Sequence, residues 1–145
     1  MEKLLAVKGV GIITVAGFLA EVGDIGRFTS PKQIQKLAGL EPKENSSGKH
    51  KGQTKISYRG RKRLRYWLFQ AAKSAVSHAD EFKQLHEYYT TRSKNPLKKM
   101  QSLVVIACKI LRVIYTILKT GTIYDPEKML KDIKHPASAQ TSLAA

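Results

Sequence analysis

A mainly α-helical chain, with a helix-hairpin-helix-like N-terminal part, a long basic loop and then a bundle of three helices, is the fold class this sequence predicts. Three observations predict it. Apolar residues recur at helical spacing through residues 61–120. Between residues 4 and 40, short apolar runs are cut by Gly9, Gly11, Gly17, Gly23, Gly26 and Gly39, spaced as turns and helix ends rather than as a flexible linker. Between these halves lies a basic loop, residues 41–60, in which Glu41 to Ser57 is polar, rich in Ser, Gly and Lys and without period, which marks a long loop with room for a short hairpin. With 145 residues and 42% hydrophobic content, the chain has material for one real core. A single domain over residues 1–134 is therefore expected, with an extension at 121–134 and a small, polar, disordered tail at 135–145.

Taken in order, the turn Lys8-Gly9-Val10-Gly11 leads into a helix from about Ile12 to Val22. Ser30-Pro31-Lys32-Gln33 combines an N-cap serine, proline at the first helical position and glutamine at the capping-box position, and Gly39 is the natural stop. From Arg61, the residues Leu64, Trp67, Leu68, Ala71, Ala72, Ala75 and Val76 share one face, so Trp67 reads as core. A second helix is expected from Asp80 to Arg92, with Phe82, Leu85, Tyr88 and Tyr89 as its apolar side. After Asn95-Pro96 comes the longest helix, which carries Leu97, Met100, Leu103, Val104, Ala107, Ile110, Leu111, Ile114, Tyr115 and Leu118 in register until Gly121. No internal repeat is visible.

The 26 Lys and Arg against 11 Asp and Glu leave a net charge of +15, which favours a polyanionic partner. Nucleic acid ranks first and an anionic membrane surface second. The charge is a patch: residues 43–65 hold nine Lys/Arg and one acid, Glu44, and so supply +8 of the +15. No window reaches the roughly 18 uninterrupted apolar residues of a membrane span, and the start MEKLLAVKGVG lacks a signal peptide's apolar core and cleavage site. Cys108 is the lone cysteine, in an apolar helical run where it reads as a small core residue, consistent with a reducing compartment. A cytoplasmic, nucleoid-associated protein is expected, with no membrane partner.

Several constellations bear on chemistry. Gly9-Val10-Gly11 directly before a helix has the form of a hairpin whose backbone N–H groups receive a DNA phosphate; plain helix-to-helix punctuation is the alternative. The run Lys49, Lys51, Lys55, Arg59, Arg61, Lys62, Arg63 and Arg65 is a stronger signal, because closely set cations displace condensed counterions and hold backbone phosphates regardless of sequence. The bland reading is a solvated face. Tyr58, Tyr66 and Trp67 lie beside it. Ser46 and Ser47 precede these cations, which can stabilise the charge of a pentavalent phosphate, but a serine hydroxyl is a poor nucleophile until a base takes its proton, and no base is obvious. His50, His78, His86 and His135 do not form a metal-ligand spacing, and the acids form no set for two Mg²⁺ ions. No metal and no cofactor is assigned to this chain.

In sequence order, LLAVKGVG, GDIGRFTS, KLAGLEP, SSGK and KISYRGRKRLR, within residues 4–79, resemble the C-terminal transposase domain of the insertion-sequence family known as IS-one-ten, joined with IS-one-sixteen. LKTGTIYDP resembles that domain's C-terminal boundary. The resemblance implies a DNA recombinase that moves mobile elements, guided in its better understood members by an element-encoded bridge RNA. It implies two domains: an N-terminal RuvC-like fold with an Asp-Glu-Asp-Asp set for Mg²⁺, and a C-terminal one whose serine attacks a DNA phosphate and becomes linked to it. Only the second is matched here. By resemblance the nucleophile is Ser47, directly before Gly48, with Ser46 as the fallback, and Lys49, Lys51, Lys55, Arg59 and Arg61 are charge stabilisers or DNA contacts. Mg²⁺ is then expected only with the acidic domain, acting in trans. The partners implied are double-stranded DNA, a guide RNA, that acidic domain and further copies of the chain.

Two readings stay open on the residues. One is a recombinase fragment holding the serine half of a composite active site, inactive in isolation. The other is a nucleic-acid-binding module without catalysis; a third, an RNA-binding structural protein, explains the charge but not the SSGK loop.

Overall fold

A computed structural model of the chain describes residues 2–43, 46–47, 50–51, 55–56 and 59–131. The elements are α1 (Glu2–Leu5), α2 (Ile12–Val22), a 3₁₀ turn (Ile25–Arg27), α3 (Pro31–Leu37) and the two-residue strands β1 (Pro42–Lys43), β2 (Ser46–Ser47), β3 (His50–Lys51) and β4 (Lys55–Ile56). Helices α4 (Lys62–His78), α5 (Asp80–Thr91), α6 (Lys99–Thr120) and α7 (Pro126–Leu130) complete the chain. The fold is mainly α. The expected tail at 135–145, and residues 132–134 before it, lie outside the described residues.

Helix α4 sits at the centre, packed on α2, α5 and α6, while α6 also meets α3, α1 and the 3₁₀ turn. The three-helix bundle α4–α5–α6 is present, but it shares its core with the N-terminal part. Phe18 and Val22 from α2, Ile34 from α3, Leu64 and Leu68 from α4, Phe82 and Leu85 from α5, and Ile106, Ile110 and Ile114 from α6 form one buried cluster. Two glycines allow this approach. Gly9 has φ +87°, and a Cβ there would lie 2.6 Å from the Ala75 Cα, so the hairpin backbone rests directly on α4. A Cβ at Gly17 would lie 2.2 Å from Trp67 Cε2, so the indole lies flush on the α2 backbone.

The structure corrects several local expectations. Trp67, expected in the core, is only half-buried, with its indole against Gly17 of α2. Met100, placed in the apolar register, is 62% exposed, whereas Ile106, Ile117 and Ser102 are buried. The helical stripe is therefore rotated at the start of α6. At α3 the proline takes the first helical position, but the Ser30 side chain makes no cap bond; Gln33 Oε1 instead accepts from Thr29 N at 2.8 Å, one residue earlier than a capping box requires. Gly39 and Gly121, at φ +73° and +68°, end α3 and α6 as expected.

Helix α6 is long and apolar enough, by length and composition, to cross a membrane. Its packing against α4, α5 and α3 accounts for that composition, because eight of its residues are buried in the core.

Candidate nucleic-acid interface and serine hairpin

The segment between α3 and α4 leaves and rejoins the fold at one place. Leu40 N donates to Gln35 O at 3.0 Å, and Arg61 N donates to Leu37 O at 2.7 Å, so both stems are tied to the C-terminal turn of α3. Gly60, at φ +142°, is required here, since a Cβ would lie 2.2 Å from Leu37 O. Beyond the stems β1 pairs antiparallel with β4, Pro42 opposite Ile56 and Lys43 opposite Lys55. Further out β2 pairs with β3, Ser46 opposite Lys51 and Ser47 opposite His50. The described residues of the long loop thus form two antiparallel strand pairs, with the loop's ends held at the α3–α4 junction.

The structure describes the backbone of Ser46, Ser47, Lys51 and Lys55; Lys49, Gly48 and Tyr58 lie outside the described residues. The register makes His50 the cross-strand partner of Ser47. The sequence reading missed that pairing. Its signal was the two-residue interval between them, the length of a tight hairpin connection.

The basic residues of the α4 end divide into two groups. Arg61 Nη1 donates to the Glu21 carbonyl at 2.6 Å and lies 3.7 Å from Glu21 Oε2, and Arg65 Nη1 donates to the Ala38 carbonyl at 3.2 Å. Both guanidinium groups serve the orphan carbonyls and negative dipole ends of α2 and α3. Arg27 on Val22 O and Lys3 on Gly121 O do the same elsewhere. Part of the chain's positive charge therefore closes helix C-termini. Arg59, Lys62 and Arg63 are exposed. Among the described residues, no side-chain hydrogen bond or ion pair engages Lys62 or Arg63.

The Gly9–Gly11 turn contributes a separate feature. An open cleft of about 460 Å³ is lined by Lys8, Gly9, Gly11, Thr14, Ser74 and His78, among others. Nothing lies within 4 Å of a Cβ built on Gly11, and no side chain caps the N-terminus of α2. The two glycines thus differ: Gly9 is packed against α4, and Gly11 faces open space. The element before the turn, α1, is a single four-residue turn.

Other titratable groups are tied into the fold. His86 Nδ1 and Ser102 Oγ share a hydrogen bond at 2.8 Å, and burial, then Lys99, holds that imidazole below its ordinary pKa. Burial pushes the Cys108 thiol up to about 11, so it is a poor nucleophile. Tyr124 donates to Glu81 Oε1 at 2.8 Å and stacks on Phe82; burial and that carboxylate raise its pKa. Among the described residues, no group of three His, Cys, Asp or Glu is placed to hold a metal ion.

The sequence profile of the Transposase IS116/IS110/IS902 family matches residues 1–90. The transposase for insertion sequence element IS1111A of Coxiella burnetii is 34% identical over 77 residues, 53% of this chain and 21% of that protein. The pilin gene-inverting protein of Moraxella bovis is 27% identical over 124 residues, 84% of this chain and 38% of that protein. The transposase for insertion sequence element IS1328 of Yersinia enterocolitica is 28% identical over 130 residues, 85% of this chain and 37% of that protein. The chain spans less than two fifths of the length of these curated relatives. A profile match over residues 1–90, more than half of the chain and running from α1 into α5, shows that this chain belongs to the IS116/IS110/IS902 family of transposases.

Proposed function

We propose that this chain is the DNA-binding and serine-nucleophile part of an insertion-sequence recombinase, working with an acidic RuvC-like domain supplied in trans. The observation that carries the reading is the hairpin bearing Ser46 and Ser47, anchored at the α3–α4 junction beside the exposed Arg59, Lys62 and Arg63. Those cations hold the DNA backbone, and the hairpin carries the hydroxyl to a phosphate. Lys51 and Lys55 lie on β3 and β4, and Lys49 falls between β2 and β3 in sequence. In the step proposed, the serine Oγ–P bond forms, the P–O bond to a sugar oxygen breaks, the serine proton passes to a base, and the departing oxygen takes up a proton. Ser47 is the assigned nucleophile and Ser46 the fallback. Among the described residues no group of three His, Cys, Asp or Glu could hold Mg²⁺, and the metal belongs with the acidic domain. A guide RNA and further copies of the chain complete the proposed assembly.

Binding and chemistry separate experimentally. Fluorescence anisotropy with duplex DNA should give a log K against log salt slope near −4 to −5 if about four to six phosphates are neutralised. A flat salt dependence would remove the DNA-binding reading. On denaturing gels the isolated chain should yield no DNA–protein adduct. With the acidic domain, Mg²⁺ and guide RNA, an adduct should appear that Ser47→Ala abolishes while duplex affinity stays within a few fold, since one hydroxyl carries no charge. An adduct persisting in Ser47→Ala moves the nucleophile to Ser46 or to another residue. His50→Ala, made beside it, tells whether the cross-strand imidazole takes the serine proton.

A further inference from the structure

We propose that the outward face of α4 binds an unpaired nucleic-acid strand, with Tyr66 as the platform on which a base stacks and Lys62, Arg63 and Lys73 as its phosphate contacts. The proposal rests on the nucleic-acid-binding reading above and names the form of nucleic acid this face selects.

Tyr66 is a large aromatic side chain left 53% exposed on the central helix of the fold. Its neighbours three, four and seven positions away are Lys62, Arg63, Phe69, Gln70 and Lys73, which places them on one helix face. Lys62, Arg63 and Lys73 are all exposed. Phe69 is half-buried, with the Lys73 ammonium 5.7 Å from its ring centroid. The 17 residues of α4 contain no acid.

The platform is also held from behind. The Tyr66 ring stands edge-on to Trp67, with centroids 5.2 Å apart and planes at 72°. Trp67 in turn lies on the α2 backbone, where the missing Cβ of Gly17 makes room for it.

Charge alone would serve a duplex, whose bases hide their faces in the stack. On a duplex an exposed ring among cations finds no open base face to stack on, whereas it offers an unpaired base a stacking partner while the cations hold the phosphates on either side. An apolar protein surface fits this face poorly, because Lys62, Arg63 and Lys73 surround the ring.

The test uses the full chain and fluorescence anisotropy with labelled oligothymidine, oligouridine and a blunt duplex of mixed sequence. Tyr66→Ala should weaken strand binding by about 5- to 150-fold, the effect of one lost base–aromatic stack, and leave duplex affinity within about twofold. Tyr66→Phe keeps the ring and should retain strand affinity, whereas Lys62→Gln should weaken strand and duplex alike. A loss confined to oligothymidine or to oligouridine names the strand as DNA or RNA. Unchanged strand affinity in Tyr66→Ala, or an equal fall for strand and duplex, overturns the proposal. Retained duplex binding in the variant shows that it is folded. Duplex binding by the wild-type chain with a silent Tyr66→Ala defeats this inference alone; a wild-type chain that binds neither form defeats the DNA-binding reading as well.

Discussion

At the scale of single residues, two glycines two positions apart have opposite duties. Gly9 holds a left-handed φ against the backbone of α4, where neither partner has a flexible side chain to move aside. Gly9→Ala should therefore cost about 2–4 kcal/mol in urea denaturation, combining backbone strain with overpacking. Gly11→Ala meets open space at an ordinary φ of −82° and should cost less than about 1 kcal/mol, the loss of a tolerable N-cap. Equal losses at both positions would contradict the packing described. Arg61 and Arg65 make a similar point about charge. The sequence shows eight cations between residues 49 and 65, but only their surroundings show that these two close the C-terminal ends of α2 and α3.

Among elements, the contacts between helices set two expectations. Trp67 joins α4 to α2 and is half-buried, so Trp67→Ala should cost about 2–3 kcal/mol, below the range for a fully enclosed indole. The His86–Ser102 bond joins α5 to α6 beside Lys99. Because the folded chain holds the His86 pKa below 6.5, it binds that proton less readily than the unfolded chain does. The stabilisation is complete above 6.5 and is lost as pH falls through the lower folded value. Urea midpoints measured across mildly acidic pH should fall more steeply in the wild type than in His86→Gln. Identical pH profiles would show that His86 titrates as a free side chain.

For the whole molecule, the shared core decides the cooperativity. Segments that read as separate parts, a helix-hairpin-helix-like start and a later bundle, bury their apolar faces against the same α4 and α6. Tyr115 OH donates to the Phe28 carbonyl at 3.1 Å, and Tyr124 ties the C-terminal extension to Glu81 of α5. Unfolding should therefore be a single transition: the fluorescence of Trp67, the chain's one tryptophan, and far-UV circular dichroism should give superimposable urea curves. Curves with separate midpoints would divide the N-terminal part from the bundle.

The helices were legible in the sequence because their signals are local. Apolar spacing placed α2, α4, α5 and α6 to within a few residues, and Gly39 and Gly121 marked their stops through conformations that glycine adopts without a steric penalty. Charge density alone marks residues 43–65 as the basic patch. The rest depends on distance between elements, which no local pattern carries. Whether a cation faces solvent or a helix carbonyl, whether Tyr66 is covered or bare, and which residue lies across from Ser47 depend on register and packing partners remote in sequence. The rotation of α6 that exposes Met100 and buries Ser102 was decided in the same way, by the surfaces of α4 and α5 that it had to fit.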